Sequence, residues 1–157
     1  MYKIALCDDD TFFYVYFEHL LSKLLSNKAI SYKLDYYPTT TSLEIAIRQG
    51  SFYDLIFLDI LIDLDNGIDF ARQIRTLDQN VNIIFVSSSS DYALNCYDLA
   101  PLHYLVKPFN IEKLETALNR FFEKYNVPNC VSRFPAKFML SRFQIFSILR
   151  STRIKYT

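Results

Sequence analysis

The chain has 157 residues, with 51% hydrophobic and 17% aromatic content and formally zero net charge. That is enough for one domain with a short appendage, and too apolar for a disordered chain. No apolar run reaches the roughly 20 residues of a bilayer span. The first residues turn acidic too early for a secretory signal, so a cytoplasmic location is expected.

Lys3–Cys7 is a short strand candidate, followed by Asp8-Asp9-Asp10. From Thr11 to about Lys28, Phe13, Phe17, Leu20, Leu21, Leu24 and Leu25 recur at helical spacing. Ser31–Tyr37 alternates like a strand and stops at Pro38. Thr41 or Ser42 can cap a helix that runs to Gly50. Tyr53–Leu58 is an uninterrupted apolar run ending at Asp59, the pattern of a strand buried on both faces. A turn-rich stretch, Asp63–Gly67, leads into a helix over Ile68–Leu77. Val81–Val86 predicts another buried strand, Asp91–Leu99 a helix, His103–Val106 a fifth strand, and Ile111–Tyr125 a last helix.

Five strands alternating with five helices describe an α/β fold, an open, doubly wound parallel sheet. Ligands bind such sheets beyond the carboxyl ends of the strands. Asp8 and Asp9 follow the first strand, Asp59 the third, Ser87 the fourth and Lys107 the fifth. Each alone reads as a turn, cap or surface residue; their joint placement at successive strand ends carries the functional signal.

Three carboxylates gathered at one edge repel each other unless a cation sits among them. Oxygen ligands without His or Cys suit a hard ion, Mg²⁺ above all. Such an ion spreads charge on a transferring phosphoryl group. Asp59 can then attack phosphorus as a nucleophile, with Lys107 and Ser87 bonding the other phosphoryl oxygens. Cys7, Cys96 and Cys130 show no CxxC spacing and read as apolar fillers or free thiols.

Over roughly residues 2–125 the sequence resembles a response-regulator receiver domain. The matching motifs are Ile4-Ala5-Leu6-Cys7-Asp8-Asp9-Asp10, Leu55-Ile56-Phe57-Leu58-Asp59-Ile60 with Gly67 eight residues after the aspartate, and Tyr104-Leu105-Val106-Lys107-Pro108-Phe109. The resemblance implies a flavodoxin-like (βα)5 fold with strand order 2-1-3-4-5. It implies that Asp59 is phosphorylated by a sensor histidine kinase, that Asp9 and Asp59 ligate Mg²⁺ directly and Asp8 mostly through water, and that the Leu61 backbone carbonyl completes the set. A cis peptide between Lys107 and Pro108 is also implied. Ser87 and Tyr104 match the family's switch pair, which repacks the face where partners or a second copy dock, so a homodimer on activation is expected. Activity as an enzyme is not, beyond self-phosphorylation from small donors and autodephosphorylation.

Three departures stand out. Asp63 replaces the proline frequent four residues after the acceptor and adds negative charge with Asp65. Ser88 is larger than the usual Ala or Gly, and two glycines in all suggest stiff loops.

The stretch from Asp91 to Phe109 is similar to receivers that precede a LytTR-type DNA-binding domain, which points to transcriptional regulation. Residues 1–125 form the expected receiver. Residues 126–157, basic and aromatic, are too few for that output domain, which puts DNA binding by this chain in doubt. Up to Glu123 there are 17 acidic against 10 basic residues, a net charge of −7, whereas from Lys124 onward there are seven basic residues and no acid. The tail reads as a remnant of a LytTR domain, an extension that packs on the body or a second copy, or a basic arm for nucleic acid or membrane. Two other functions compete: a receiver-like interaction module that never carries phosphate, and an aspartate-nucleophile phosphatase of the haloacid dehalogenase type. The phosphatase fits Asp8-Asp9-Asp10 but expects Gly-Thr where Thr11-Phe12 follows, and gives Asp59 no role.

Overall fold

The computed structural model describes residues 1–62 and 65–126. In chain order these form β1 (Tyr2–Cys7), α1 (Thr11–Asn27), β2 (Tyr32–Tyr37), α2 (Thr40–Arg48), β3 (Leu55–Asp59), β4 (Leu61–Ile62), β5 (Asp65–Asn66), α3 (Gly67–Leu77), β6 (Asn82–Ser87), a 3₁₀ turn (Tyr97–Leu99), β7 (His103–Val106) and α4 (Ile111–Asn126). The readings placed on Asp63, on Cys130 and on the tail beyond residue 126 lie outside the described residues.

Five strands pair in the order β2-β1-β3-β6-β7, all parallel. Counting only these five, the order is the expected 2-1-3-4-5. The chain leaves β1 outward to β2 and returns across it to β3, so the crevice where strand order reverses opens between β1 and β3.

Strand periodicity divides the core in two. Ile4 and Leu6 of β1, Leu55 and Phe57 of β3, and Ile84 and Val86 of β6 pack with Phe17, Leu21 and Leu25 of α1 and Leu114 and Phe121 of α4. The alternate residues, Ala5 and Cys7, Ile56 and Leu58, Ile83 and Phe85, face Leu43 of α2 and Phe70 and Ile74 of α3. Strands apolar on both faces are buried on both, which is why they read as unbroken hydrophobic runs.

The helix starts follow from local chemistry. The Asp10 carboxylate accepts from the amides of Phe12 and Phe13 and caps α1. At α2 the cap is Thr39, ahead of the expected Thr41 or Ser42. Thr39 Oγ1 accepts from the Ser42 amide at 3.1 Å, and Ser42 reciprocates in a capping box. Asn66 caps α3 through the Ile68 amide. The turn-rich stretch before α3 contains a small antiparallel ribbon, with Leu61 opposite Asn66 and Ile62 opposite Asp65.

The expected helix over Asp91–Leu99 is not formed. The segment makes turns and a single 3₁₀ turn: bonds from Ala93 to Ser90, Tyr97 to Leu94, Leu99 to Cys96 and Ala100 to Tyr97 span three residues, and only that from Cys96 to Tyr92 spans four. Only Cys96 and Leu99 are buried in it, while Leu94 and Tyr97 point outward. So narrow an apolar contact does not offset the cost of a full helix. Arg75 of α3 stabilises the alternative, donating to the carbonyls of Leu99 at 2.9 Å and of Val81. The sheet is therefore flanked by four α-helices and a 3₁₀ turn among the described residues, one helix fewer than expected.

Candidate functional site

The site lies at the carboxyl edge of the sheet, where each strand delivers one group. β1 ends one residue before Asp8, whose side chain is 0% exposed, and Asp59 is the last residue of β3 at 5%. The Asp8 amide donates to the Tyr37 carbonyl at 3.0 Å, extending the β1–β2 ladder past the strand end. Its carboxylate accepts from the Asp10 amide through Oδ1. Asp59 Oδ1 accepts from the Leu61 amide at 3.0 Å, so this carboxylate bonds the loop that follows it.

Lys107, just past β7, joins the two acids. Its Nζ lies 2.6 Å from Asp8 Oδ2 and 2.7 Å from Asp59 Oδ2. The same ammonium sits 4.1 Å over the ring of Phe13, a cation–π contact. The Lys107 amide donates to the Ser87 carbonyl at 2.8 Å, and the Lys107–Pro108 peptide is cis. Asp9, exposed, completes the acidic group: carboxylate oxygens of Asp8, Asp9 and Asp59 lie within 4.8 Å of one another.

The electrostatics are unbalanced. Burial raises the Asp8 carboxyl to about 6, against the opposing pull of Lys107, and the neighbouring Asp59 adds to the rise. Burial also pulls the Lys107 ammonium down, but the bonds to Asp59 and Asp8 outweigh it and leave its pKa raised. One ammonium thus faces three carboxylates. The oxygen-only donor set and the residual negative charge fit a hard divalent cation.

Ser87 is the last residue of β6 and fully buried, and its hydroxyl accepts from the Ser89 amide at 3.3 Å. The Tyr104 hydroxyl donates to the Ser89 carbonyl at 2.6 Å. Both residues therefore grip the loop after β6. The geometry brings Asp8, Asp9, Asp59 and Lys107 into one cluster, with Ser87 on the adjoining strand end and Tyr104 bonded to the same loop.

Two contributors escaped the sequence reading. Phe13 reads only as a core residue of α1, with nothing to mark its ring contact with the Lys107 ammonium. Gly67 reads as a motif residue, but its role is space: a Cβ there would lie 1.9 Å from the Asp59 carbonyl oxygen.

Residues 4–119 match the family model described as the response regulator receiver domain. The chain belongs to that family. This receiver is 36% identical over 77 residues to the sensory transduction protein LytR of Staphylococcus haemolyticus, covering 49% of this chain and 29% of that protein. It is 32% identical over 68 residues to the sensory transduction protein LytT of Bacillus subtilis, covering 43% of this chain and 28% of that protein. The chain thus spans less than a third of the length of the curated relatives it matches. Among solved structures, the response regulator TrrA of Thermotoga maritima, in complex with Mg²⁺–BeF, is similar at 26% identity and a TM-score of 0.62, covering 77% of this chain and 99% of that one. A two-component response regulator from Clostridium difficile is similar at 26% identity and a TM-score of 0.63, covering 80% and 99%.

The chain therefore carries the receiver domain of a two-component response regulator, related to LytR-type regulators. Receivers are signalling modules rather than enzymes in the main. Among the described residues no helix is long and apolar enough to cross a membrane.

Proposed function

We propose that this receiver accepts a phosphoryl group on Asp59 from a sensor histidine kinase. The observation that carries the reading is the Lys107 ammonium bridging Asp8 and Asp59 at 2.6 and 2.7 Å, with Asp9 in reach of both acids. An Asp59 carboxylate oxygen forms the new bond to phosphorus as the bond to the donor nitrogen breaks. Lys107 then turns from the carboxylate to a phosphoryl oxygen, and the Ser87 hydroxyl donates to another.

Asp8, Asp9 and Asp59, with the Leu61 backbone carbonyl, are the residues that would hold Mg²⁺, consistent with the Mg²⁺–BeF complex of the Thermotoga relative. The ion supplies charge neutralisation for the phosphoryl oxygens. With Ser87 drawn to the phosphoryl group, the loop that it shares with Tyr104 rearranges and the tyrosine ring moves inward. Such a new charge biasing a two-state element switches a face for a second copy or another partner. The relation to the transcriptional regulatory protein LytR of Staphylococcus aureus, 34% identical over 68 residues, supports a role in transcriptional control. We assign residues 1–125 to the receiver and 126–157 to a separate segment.

Intact-protein mass spectrometry after incubation with acetyl phosphate and Mg²⁺ tests the assignment. A single phosphoryl adduct is expected on the wild type and none on Asp59→Asn. No adduct on the wild type would replace this reading with a phosphate-independent interaction module; an adduct on Asp59→Asn would move the acceptor elsewhere.

A further inference from the structure

At the amino edge of the sheet, a strand length (roughly 15 Å) from the acidic cluster, the ends of α2 and α3 enclose a cavity of about 410 Å³. The two helices leave this space because their last turns are loosely packed. α2 buries only Thr40 and Leu43, in its first half. Further along it, Ile47 is half-buried and Ile45 is 50% exposed. The helix ends at Arg48, and Gly50, at φ 98°, turns the chain back towards β3. α3 is packed through Phe70, Ala71 and Ile74, whereas Leu77 at its end is 42% exposed. Phe52 and Tyr53 ahead of β3 and Val81 ahead of β6 complete the enclosure over Ile56.

Protein interiors leave few voids larger than a water molecule, whereas pockets for small organic ligands measure about 300–1,000 Å³ and are lined mainly by apolar and aromatic side chains. This cavity has the size and the lining of the second kind. Its rings are those of Phe52, Tyr53 and Phe70. The Tyr53 hydroxyl is engaged with Tyr37 and, at 3.1 Å, with Asp35, so that residue has ring rather than oxygen to offer a ligand. The charged side chains in the lining are committed to protein partners. Arg48 donates to Glu44 Oε1 from Nε at 2.9 Å and from Nη2 at 2.6 Å. Asp78 accepts from the Asn80 amide at 2.8 Å. A charged ligand taken from water needs a free counter-charge, and these groups do not supply one. Ser51 and Gln73, also in the lining and exposed, supply a hydroxyl and an amide for one polar group.

We propose that the cavity between the ends of α2 and α3 is a binding site for a small, uncharged, largely aromatic molecule. The site is separate from the acidic cluster, and the inference does not depend on phosphoryl transfer at Asp59.

Fluorescence titration of the full chain with N-phenyl-1-naphthylamine, an uncharged aromatic probe that brightens in apolar surroundings, tests this. Ile47→Trp and Gln73→Trp fill the cavity from its α2 and α3 walls, while Ile45→Trp places the same side chain on α2 outside the lining. Thermal unfolding of each variant verifies folding; Gln73 is exposed, so its replacement leaves the core intact. Saturable binding to the wild type is expected, with a loss of about tenfold or more in both filled variants as one ring of the probe loses its burial. Ile45→Trp is expected to bind like the wild type. The anionic probe 8-anilinonaphthalene-1-sulfonate is expected to bind more weakly than the uncharged one. In two-dimensional NMR, the uncharged probe should shift the amides of Gly50, Ser51, Leu77 and Asp78 and leave those of Asp59 and Lys107 in place. No saturable binding by the wild type, wild-type affinity in a folded filled variant, or shifts confined to other parts of the chain would overturn the site. Tighter binding of the sulfonate would overturn the assignment of an uncharged ligand.

Discussion

Replacing Gly67 with alanine tests whether the seating of α3 against the end of β3 places Asp59. The added methyl carbon would lie 1.9 Å from the Asp59 carbonyl oxygen, 2.9 Å from its carbonyl carbon and 3.0 Å from the Ile60 Cα. Real Cβ contacts do not fall below 3.0 Å, so the two backbones must separate by about 1.1 Å. Both sides of the contact are main chain, and no rotamer change relieves it. The amide of Gly67 also donates to the Ile60 carbonyl at 2.9 Å, so the separation strains that bond too. Overpacking of this kind costs about 1–3 kcal/mol, and the upper part of that range is expected. At roughly 3–5 °C per kcal/mol for a domain of this size, Tm should fall by about 10 °C. The chemistry should suffer separately, because the carboxylate that Lys107 holds at 2.7 Å belongs to the displaced residue. A misplacement of about 1 Å at a reacting group costs on the order of 10²-fold in rate. Thermal unfolding by circular dichroism gives the first quantity. The initial rate of adduct formation from acetyl phosphate, read by mass spectrometry well below the variant's Tm, gives the second. A Gly67→Ala protein with wild-type Tm and wild-type rate would refute the positioning of Asp59 by this contact.

Lys107→Ala leaves the buried carboxylates of Asp8 and Asp59 without their shared ammonium, and cation-free stability should drop by about 3 kcal/mol. Millimolar Mg²⁺ should then raise Tm more in the variant than in the wild type, as measured by scanning calorimetry. Thr39→Ala removes the bond to the Ser42 amide at the start of α2, with a loss of about 1 kcal/mol in urea unfolding and no change in the rate of phosphoryl acceptance. Burial, with a contribution from Arg120, lowers the His103 pKa below its ordinary value. Between those two values the unfolded chain binds a proton that the folded chain refuses, so this contribution to stability is complete above about pH 6.5 and is lost as pH falls through the window. Urea titrations at several pH values should show a shallower acid loss in His103→Gln than in the wild type.

Much of this architecture is legible in the order of residues because the relevant patterns are local. A strand buried on both faces must be apolar throughout, so Leu55–Leu58 and Ile83–Val86 announce themselves, and the polar residue that ends each run marks the edge where ligands bind. Asp8, Asp9, Asp59, Ser87 and Lys107 can be assembled on that basis alone. Local patterns mislead where several residues can do the same work: Thr39, Thr40, Thr41 and Ser42 are all competent caps, and in the structure Thr39 takes the role, in a capping box with Ser42. They also mislead over Asp91–Leu99, whose spacing suits a helix but whose conformation answers to Arg75, sixteen residues upstream of Asp91, reaching the carbonyl of Leu99. The contacts that give the site its geometry join residues far apart in the chain: Lys107 with Asp8 across 99 positions, and Gly67 against the main chain of Asp59. Sequence determined which groups arrive at the sheet edge, through strand periodicity and burial. Only the packing of α3, β2 and β7 around β1 and β3 decided their distances, and with them the burial and charge imbalance at this edge.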